Sequence, residues 1–226
     1  MGKGQNTSSA VMAQRLEPRG ALDDFPTPPW ATRALCEYLF GDDPEDLPSL
    51  FMSAREPCAN RGYMSAVLEE YFDTVDSADV HDYGVGYPVR DYLAGQDPAP
   101  VSWTITNPPF TLAEQFVFRA LRTSTEGVAV LVRSVWLEGG ERWRSLFSRI
   151  PPQEIRQFSE RVPMHKGKVP AKGSTATAYA WVIWDAVAAL GPRAAAQVPE
   201  FGWFPPGTRK RLERPGDYDK RGADAV

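Results

Sequence analysis

The chain has little of what several protein classes require. Two cysteines, Cys36 and Cys58, and two histidines, His81 and His165, are too few for a zinc finger or a disulfide framework, and they suit a reducing cytoplasm. Long apolar runs are missing: "AYAWVIW" (178–184) falls far short of the roughly 20 residues that a membrane-spanning helix needs. The opening "MGKGQNTSSAVMAQRLEPRG" lacks the apolar stretch of a secretory signal. Its Met-Gly start is followed by Asn6 where a myristoylation signal has Ser or Thr. There is no GxGxxG turn, which argues against a dinucleotide-dependent oxidoreductase. Net charge is small, −4 over 226 residues, and that length suffices for one well-buried domain.

What charge there is lies unevenly. Residues 1–100 carry 7 basic and 17 acidic side chains, whereas residues 133–172 carry 9 basic and 4 acidic. A basic segment on an acidic protein fits either an anionic partner docking locally or a solvated basic face.

Residues 1–20 read as a flexible arm, 21–205 as a single domain and 206–226 as a loose, charged, Gly/Pro-rich tail. Within the domain, "TPPWATRALCEYLF" (27–40) has a Thr-Pro start and helical apolar spacing. The pattern then predicts a strand over 49–56, a helix over 62–72 and a weak strand over 74–79. A strand over 101–106, a helix over 112–123 and a near-continuous apolar strand over 127–134 come next. A helix near 139–148 and strands near 154–159 and 177–185 complete the pattern. Strands alternating with helices of about ten residues define an α/β chain with a doubly wound parallel sheet. In such sheets ligands bind beyond the carboxyl ends of the strands.

Unusual residues stand at several of those ends. "EPCANRGY" (56–63) is an acid–Pro–Asn turn with Gly62 opening the next helix, a shape that lets backbone N–H groups approach a polar ligand. The next strand ends at Asp79, about 20 residues on, where nucleotide-binding sheets place an acid for ribose hydroxyls. Asp91 falls in the following connection. The strand over 101–106 runs into "TITNPPF" (104–110). Pro108 and Pro109 stop the ladder of hydrogen bonds and stiffen the backbone, and Pro108 drives Asn107 out of the helical region. One amide and the ring of Phe110 are left at a rigid tip. An isolated NPPF reads equally well as a strand-terminating turn with a buried Phe.

Taken in this order, the segments resemble class I S-adenosylmethionine-dependent methyltransferases that modify exocyclic amino groups, in particular adenine-N6 DNA methyltransferases of phage and prophage type. The likeness runs from about residue 25 to 185. It rests on "FPTPPWATRAL", "REPCANRGYMSAVLEEYF", "SADVHDYG", "TITNPPF" and "SERVPMHKGKVPAKGSTATAYAWVIW". It implies a Rossmann-like, mostly parallel seven-stranded sheet with an antiparallel strand and helices on both faces. It also implies S-adenosylmethionine as cofactor, with Thr27, Pro28, Trp30, Glu56, Cys58, Asn60 and Gly62 at the methionine end, Asp79 on the ribose and Asp91 on the adenine amino group. Asn107 and Pro108 then accept the hydrogens of the target amine, Pro109 adds rigidity and Phe110 stacks on the base. No metal is called for, and Cys58 is not a nucleophile. At the cofactor turn the chain departs from the family: Asn60 stands where relatives place Gly, which puts a side chain beside the cofactor, although Asn tolerates positive φ.

The implied partner is double-stranded DNA with the target base flipped out. The 133–175 segment is the candidate contact region, with Arg133, Arg142, Arg144, Arg149, Arg156, Arg161, Lys166, Lys168 and Lys172 toward phosphates. RNA adenine, the amino group of cytosine, a protein glutamine amide, or binding without catalysis on the same fold stay open on these residues.

Overall fold

The structure, a computed structural model, describes residues 22–41, 52–171, 173, 175–192 and 194–222. The expected arm over 1–20 and the expected phosphate contact Lys172 lie outside the described residues.

Helix α1 (Pro29–Phe40) begins with proline in its first turn, where a missing N–H costs nothing. Strand β1 (Ser53–Glu56), helix α2 (Tyr63–Leu68) and strand β2 (Thr74–Ser77) follow. A long connection leads to β3 (Val101–Thr106), α3 (Ala113–Thr123) and β4 (Ser124–Arg133). The remaining strands are β5 (Glu154–Phe158), β6 (Tyr179–Asp185) and β7 (Glu200–Phe204). They form one seven-stranded sheet in the order β2-β1-β3-β4-β6-β5-β7. Every pairing is parallel except those of β6, which runs antiparallel to both β4 and β5.

The apolar run of β4 is explained by burial on both faces. Ala129 and Leu131 point into a core that includes Trp30 and Leu35 of α1 and Val67 and Leu68 of α2. Val128, Val130 and Val132 point into a second core with Val117, Ala120 and Leu121 of α3. The adjacent β6 alternates in the same way, Trp181 and Ile183 to one side, Val182 and Trp184 to the other. Helices therefore cover both faces, as a sheet buried on both sides requires. The indole of Trp181 also donates to the Ala31 carbonyl at 2.9 Å and ties the start of α1 to the sheet.

Several expected elements change in extent: β2 stops at Ser77, short of Asp79, and β4 starts at Ser124. The second helix spans Tyr63–Leu68 rather than 62–72. In place of a regular helix over 139–148 stand a short α4 (Gly140–Arg142) and a π-helical turn, Trp143–Phe147. Short elements beyond the expected pattern include α5 (Ala186–Leu190) and the edge strand β7.

The expectation of a loose tail after Pro205 is overturned for residues 206–222. Helix α6 (Thr208–Leu212) follows β7, and Leu212 is buried. Arg33 of α1 holds this segment: it donates to the Leu212 carbonyl at 3.0 Å, to both Asp217 oxygens at 2.7 and 2.9 Å, and to Glu70 just after α2. Composition marked the segment as soluble; its charges are instead used one by one. Arg209 pairs with Glu213, Arg211 with Glu37 and Arg214 with Glu70. Among the described residues no helix is long and apolar enough to cross a membrane.

Candidate active site

Because β1, β2 and β3 are parallel neighbours, their carboxyl ends open on the same side of the sheet. Chain order reverses here, β1 leading by way of α2 to β2 on one flank while β3 lies on the other. Ligands bind at such switch points, and a cavity of about 180 Å³ lies there. The residues after all three strands reach its wall, namely Cys58, Ala59 and Asn60, then Asp79, then Asn107 and Pro109.

The turn after β1 is built by its own polar groups. Asn60 has φ 50°, the one positive value at a non-glycine position among the described residues. Its amide donates to Asp79 Oδ2 at 2.9 Å. Its side chain is engaged sideways, donating to Asp24 Oδ1 at 2.9 Å and accepting from the Arg61 amide at 2.8 Å. The departure from glycine is thus absorbed by a left-handed conformation that Asn accepts and by partners that hold the side chain. Gly62 opens α2 with φ 76°; a Cβ there would stand 2.7 Å from the Tyr87 hydroxyl. Gly62 therefore shapes the turn and does not line the cavity.

Glu56 lies beneath the turn, fully buried. Its Oε1 accepts from the Cys58 amide at 2.9 Å and from the Thr106 hydroxyl at 2.6 Å, which links the ends of β1 and β3. Its Oε2 is buried without a partner. Burial pushes its pKa up to about 8, with the nearby Asp79 charge adding to the effect. Burial likewise raises the Cys58 thiol well above its ordinary range, which leaves an unreactive thiol. Asp79 lines the cavity, and its Oδ1 accepts from the His81 amide at 3.0 Å. Burial raises its pKa and the backbone amides oppose the rise. Asp91 also reaches the wall, where its Oδ1 accepts from the Leu93 amide.

The tip after β3 is oriented from outside its own sequence. Asn107 Nδ2 donates to the Phe25 carbonyl at 2.9 Å, which turns Oδ1 the other way; that oxygen is buried and has no partner. An unpartnered acceptor in a cavity wall is open to a hydrogen-bond donor on a ligand. The Phe110 amide donates to Asp23 Oδ2 at 2.9 Å, and the Pro109 carbonyl accepts from Leu112 at 2.9 Å. Asp23, Asp24 and Phe25 thus form a strap whose members grip the tip after β3, the turn after β1 and the tip again. The Asp24 carbonyl also accepts from Gly167 at 2.8 Å. Sequence patterns gave no sign of this strap, since two acids before a phenylalanine carry no motif.

Thr27, expected at the methionine end of the cofactor, lines the cavity with a buried, unpartnered hydroxyl. Pro28 is buried as the cap of α1. Trp30 is a correction. The first turn of α1 directs it into the core, fully buried and edge-on to Phe158 at 5.4 Å. Tyr83, Tyr92, Met64 and Phe116 supply apolar wall that spacing did not single out.

The basic segment divides. Arg144, Arg149, Arg161, Lys166 and Lys168 are exposed. Arg142 is not available: it caps its own loop through the carbonyls of Trp136 and Glu138 and covers the Trp136 ring at 4.6 Å. Arg156 is tied to Glu154 and Glu200. Arg133 stands over Phe110, its guanidinium carbon 3.9 Å from the ring centroid.

No family model matches the sequence, and no curated protein matches it. Solved structures do resemble it. A protein from Listeria monocytogenes assigned as a class I S-adenosylmethionine-dependent methyltransferase is 11% identical with a TM-score of 0.58, over 89% of this chain and 73% of that one. A modification subunit assigned to a type I restriction enzyme of Vibrio vulnificus is 14% identical, TM-score 0.54, over 93% of this chain; the match spans 54% of that subunit's length. A protein from Pyrococcus horikoshii assigned as an RNA methyltransferase is 16% identical, TM-score 0.52, over 78% of this chain and 96% of that one. The chain has the Rossmann-like fold of class I methyltransferases.

Proposed function

We propose that the protein transfers a methyl group to the exocyclic amino group of adenine in DNA, with the base turned out of the duplex toward Asn107–Phe110. The carrying observation is the Asn107 side chain, pinned through Nδ2 so that a buried, unpartnered Oδ1 remains to accept a hydrogen.

The cavity residues fit S-adenosylmethionine. Thr27 offers an unused hydroxyl, Asp79 and Asp91 offer carboxylates to hydroxyl and amino groups, and Tyr92, Met64 and Phe116 offer apolar wall. When bound, this cofactor supplies an electrophilic methyl group. The protein's own task is to make a poor nucleophile competent, since the lone pair of an aromatic amine is delocalised into its ring. Asn107 Oδ1 takes one amino hydrogen. The Pro109 carbonyl is committed to Leu112, so the second hydrogen falls to the Pro108 carbonyl. Two fixed acceptors favour a tetrahedral nitrogen and stabilise the positive charge that develops on it. The two prolines keep the acceptors in place, where a small drift is costly. Arg144, Arg149, Arg161, Lys166 and Lys168 contact phosphates, which position the substrate without reading its sequence.

The test is incubation with methyl-labelled cofactor and undermodified duplex DNA, followed by nucleoside analysis. Label is expected in methyladenine. Asn107→Ala should lower turnover by about 10²–10³-fold while calorimetry shows unchanged cofactor affinity. Label in cytosine would overturn the target base. Cofactor binding without label in DNA would overturn DNA as substrate and move the search to RNA and protein amides.

A further inference from the structure

Arg133 ends β4 beside the catalytic tip. Its guanidinium carbon lies 3.9 Å from the centroid of Phe110 and 5.8 Å from that of Phe25. The two rings are themselves 6.0 Å apart and tilted by 43°. The Nε of Arg133 is buried without an acceptor. Among the described residues no carboxylate forms an ion pair with this arginine, unlike Arg33, Arg55, Arg119 and Arg156. The buried Tyr179 hydroxyl is its polar partner.

A guanidinium is planar and stacks on an aromatic face at the distance a nucleobase would adopt. Phe110 is the ring assigned to stack on the target base, and a cation already lies on one of its faces. That cation gains the attraction of the ring and of the Tyr179 oxygen, but its Nε stays an unsatisfied buried donor, which opposes its staying.

We propose that Arg133 is a positioning residue that fills the stacking place over Phe110 in the free protein and yields it to an incoming aromatic base. The inference rests on the methyl-transfer reading, because it takes Phe110 as the stacking partner. The stand-in keeps the ring covered and the slot shaped until a base arrives. Any planar base that stacks better than the guanidinium displaces it, and the arm swings outward with its charge free.

Binding measured by fluorescence anisotropy tests this, with S-adenosylhomocysteine present to fill the cofactor cavity. Two labelled 12-nucleotide probes are compared: a deoxyadenosine strand, and the same strand with abasic spacers in place of its bases. Wild type should prefer the adenine strand, and Asn107→Ala should reduce the preference. Arg133→Ala should bind the adenine strand about 3- to 10-fold tighter, the range expected from removing a cation–π competitor, and the abasic strand unchanged within about twofold. Arg133→Lys, which keeps stem and charge but not the flat stack, serves if the alanine variant does not fold; it should shift in the same direction by less. Equal weakening of both strands would overturn the proposal in favour of a phosphate contact. Unchanged binding with a lowered melting temperature would overturn it in favour of a structural strut. If wild type itself does not distinguish the strands, the base-binding reading beneath the proposal fails as well.

Discussion

Glu56→Gln should make the protein more stable in mildly alkaline solution and remove a pH dependence. The wild-type carboxyl is fully buried, and burial pushes its pKa from the ordinary 4.5 up to about 8. The folded state is therefore the tighter proton binder. The stability this confers is fully present below pH 4.5 and lost as the pH rises through 8. At about 1.4 kcal/mol per pH unit, the full loss is on the order of 4–5 kcal/mol. Glutamine matches the protonated form in shape. Its carbonyl can accept from the Cys58 amide and the Thr106 hydroxyl, as Oε1 does, and its neutral amide replaces the orphan Oε2. Urea unfolding of both proteins between pH 5 and 9 measures the effect. Wild type should lose stability across pH 6–8, while the variant stays flat in that window and exceeds wild type at pH 8.5. A slope retained by the variant, or a variant less stable than wild type at every pH, would refute the assignment of this titration to Glu56.

Two further substitutions probe the turn and the tail. Asn60→Ala removes the hydrogen bonds to Asp24 and Arg61 while keeping φ positive. It should cost about 1 kcal/mol more than Asn60→Gly, which escapes the left-handed penalty; equal urea midpoints would count against strain at this residue. Asp217→Ala leaves the buried Arg33 with Glu70 as its one carboxylate beside the Leu212 carbonyl. It should cost about 3 kcal/mol, a drop in melting temperature of roughly 6–12 °C for a chain of this size, whereas an undocked tail would show no change.

The sheet was legible because its central strands obey one strong rule. An apolar run such as that of β4 has to be buried on both faces, and the helical segments around it supply those faces. The strand-end residues were legible for the same reason, since a parallel sheet gathers its carboxyl ends. What escaped depends on distant partners. Nothing local in Arg33 announces Asp217, 184 positions away. Nothing in "LDDF" shows that Asp23 and Asp24 bind different walls of one site. Trp30 has the spacing of a core residue and the neighbours of a cofactor segment, and packing against Phe158 settled it. Arg142 and Arg156 look like Arg144 in a string of letters, yet two are tied to their own surroundings and one is not.

The turn after β1 shows that what a chain must preserve can be an angle rather than a letter. The bend needs a residue that lives at φ near 50°, and glycine is one answer among the residues able to do so. Asn60 is another, provided that Asp24 and Arg61 hold its side chain. A pattern that demands glycine at this place passes the protein by, whereas a pattern written in backbone conformation finds it at once. The substitution also moves part of the turn's stability out of the turn. A glycine would form this bend unaided, whereas Asn60 relies on a carboxylate 36 residues earlier, so the geometry of one loop is set by the sequence of another.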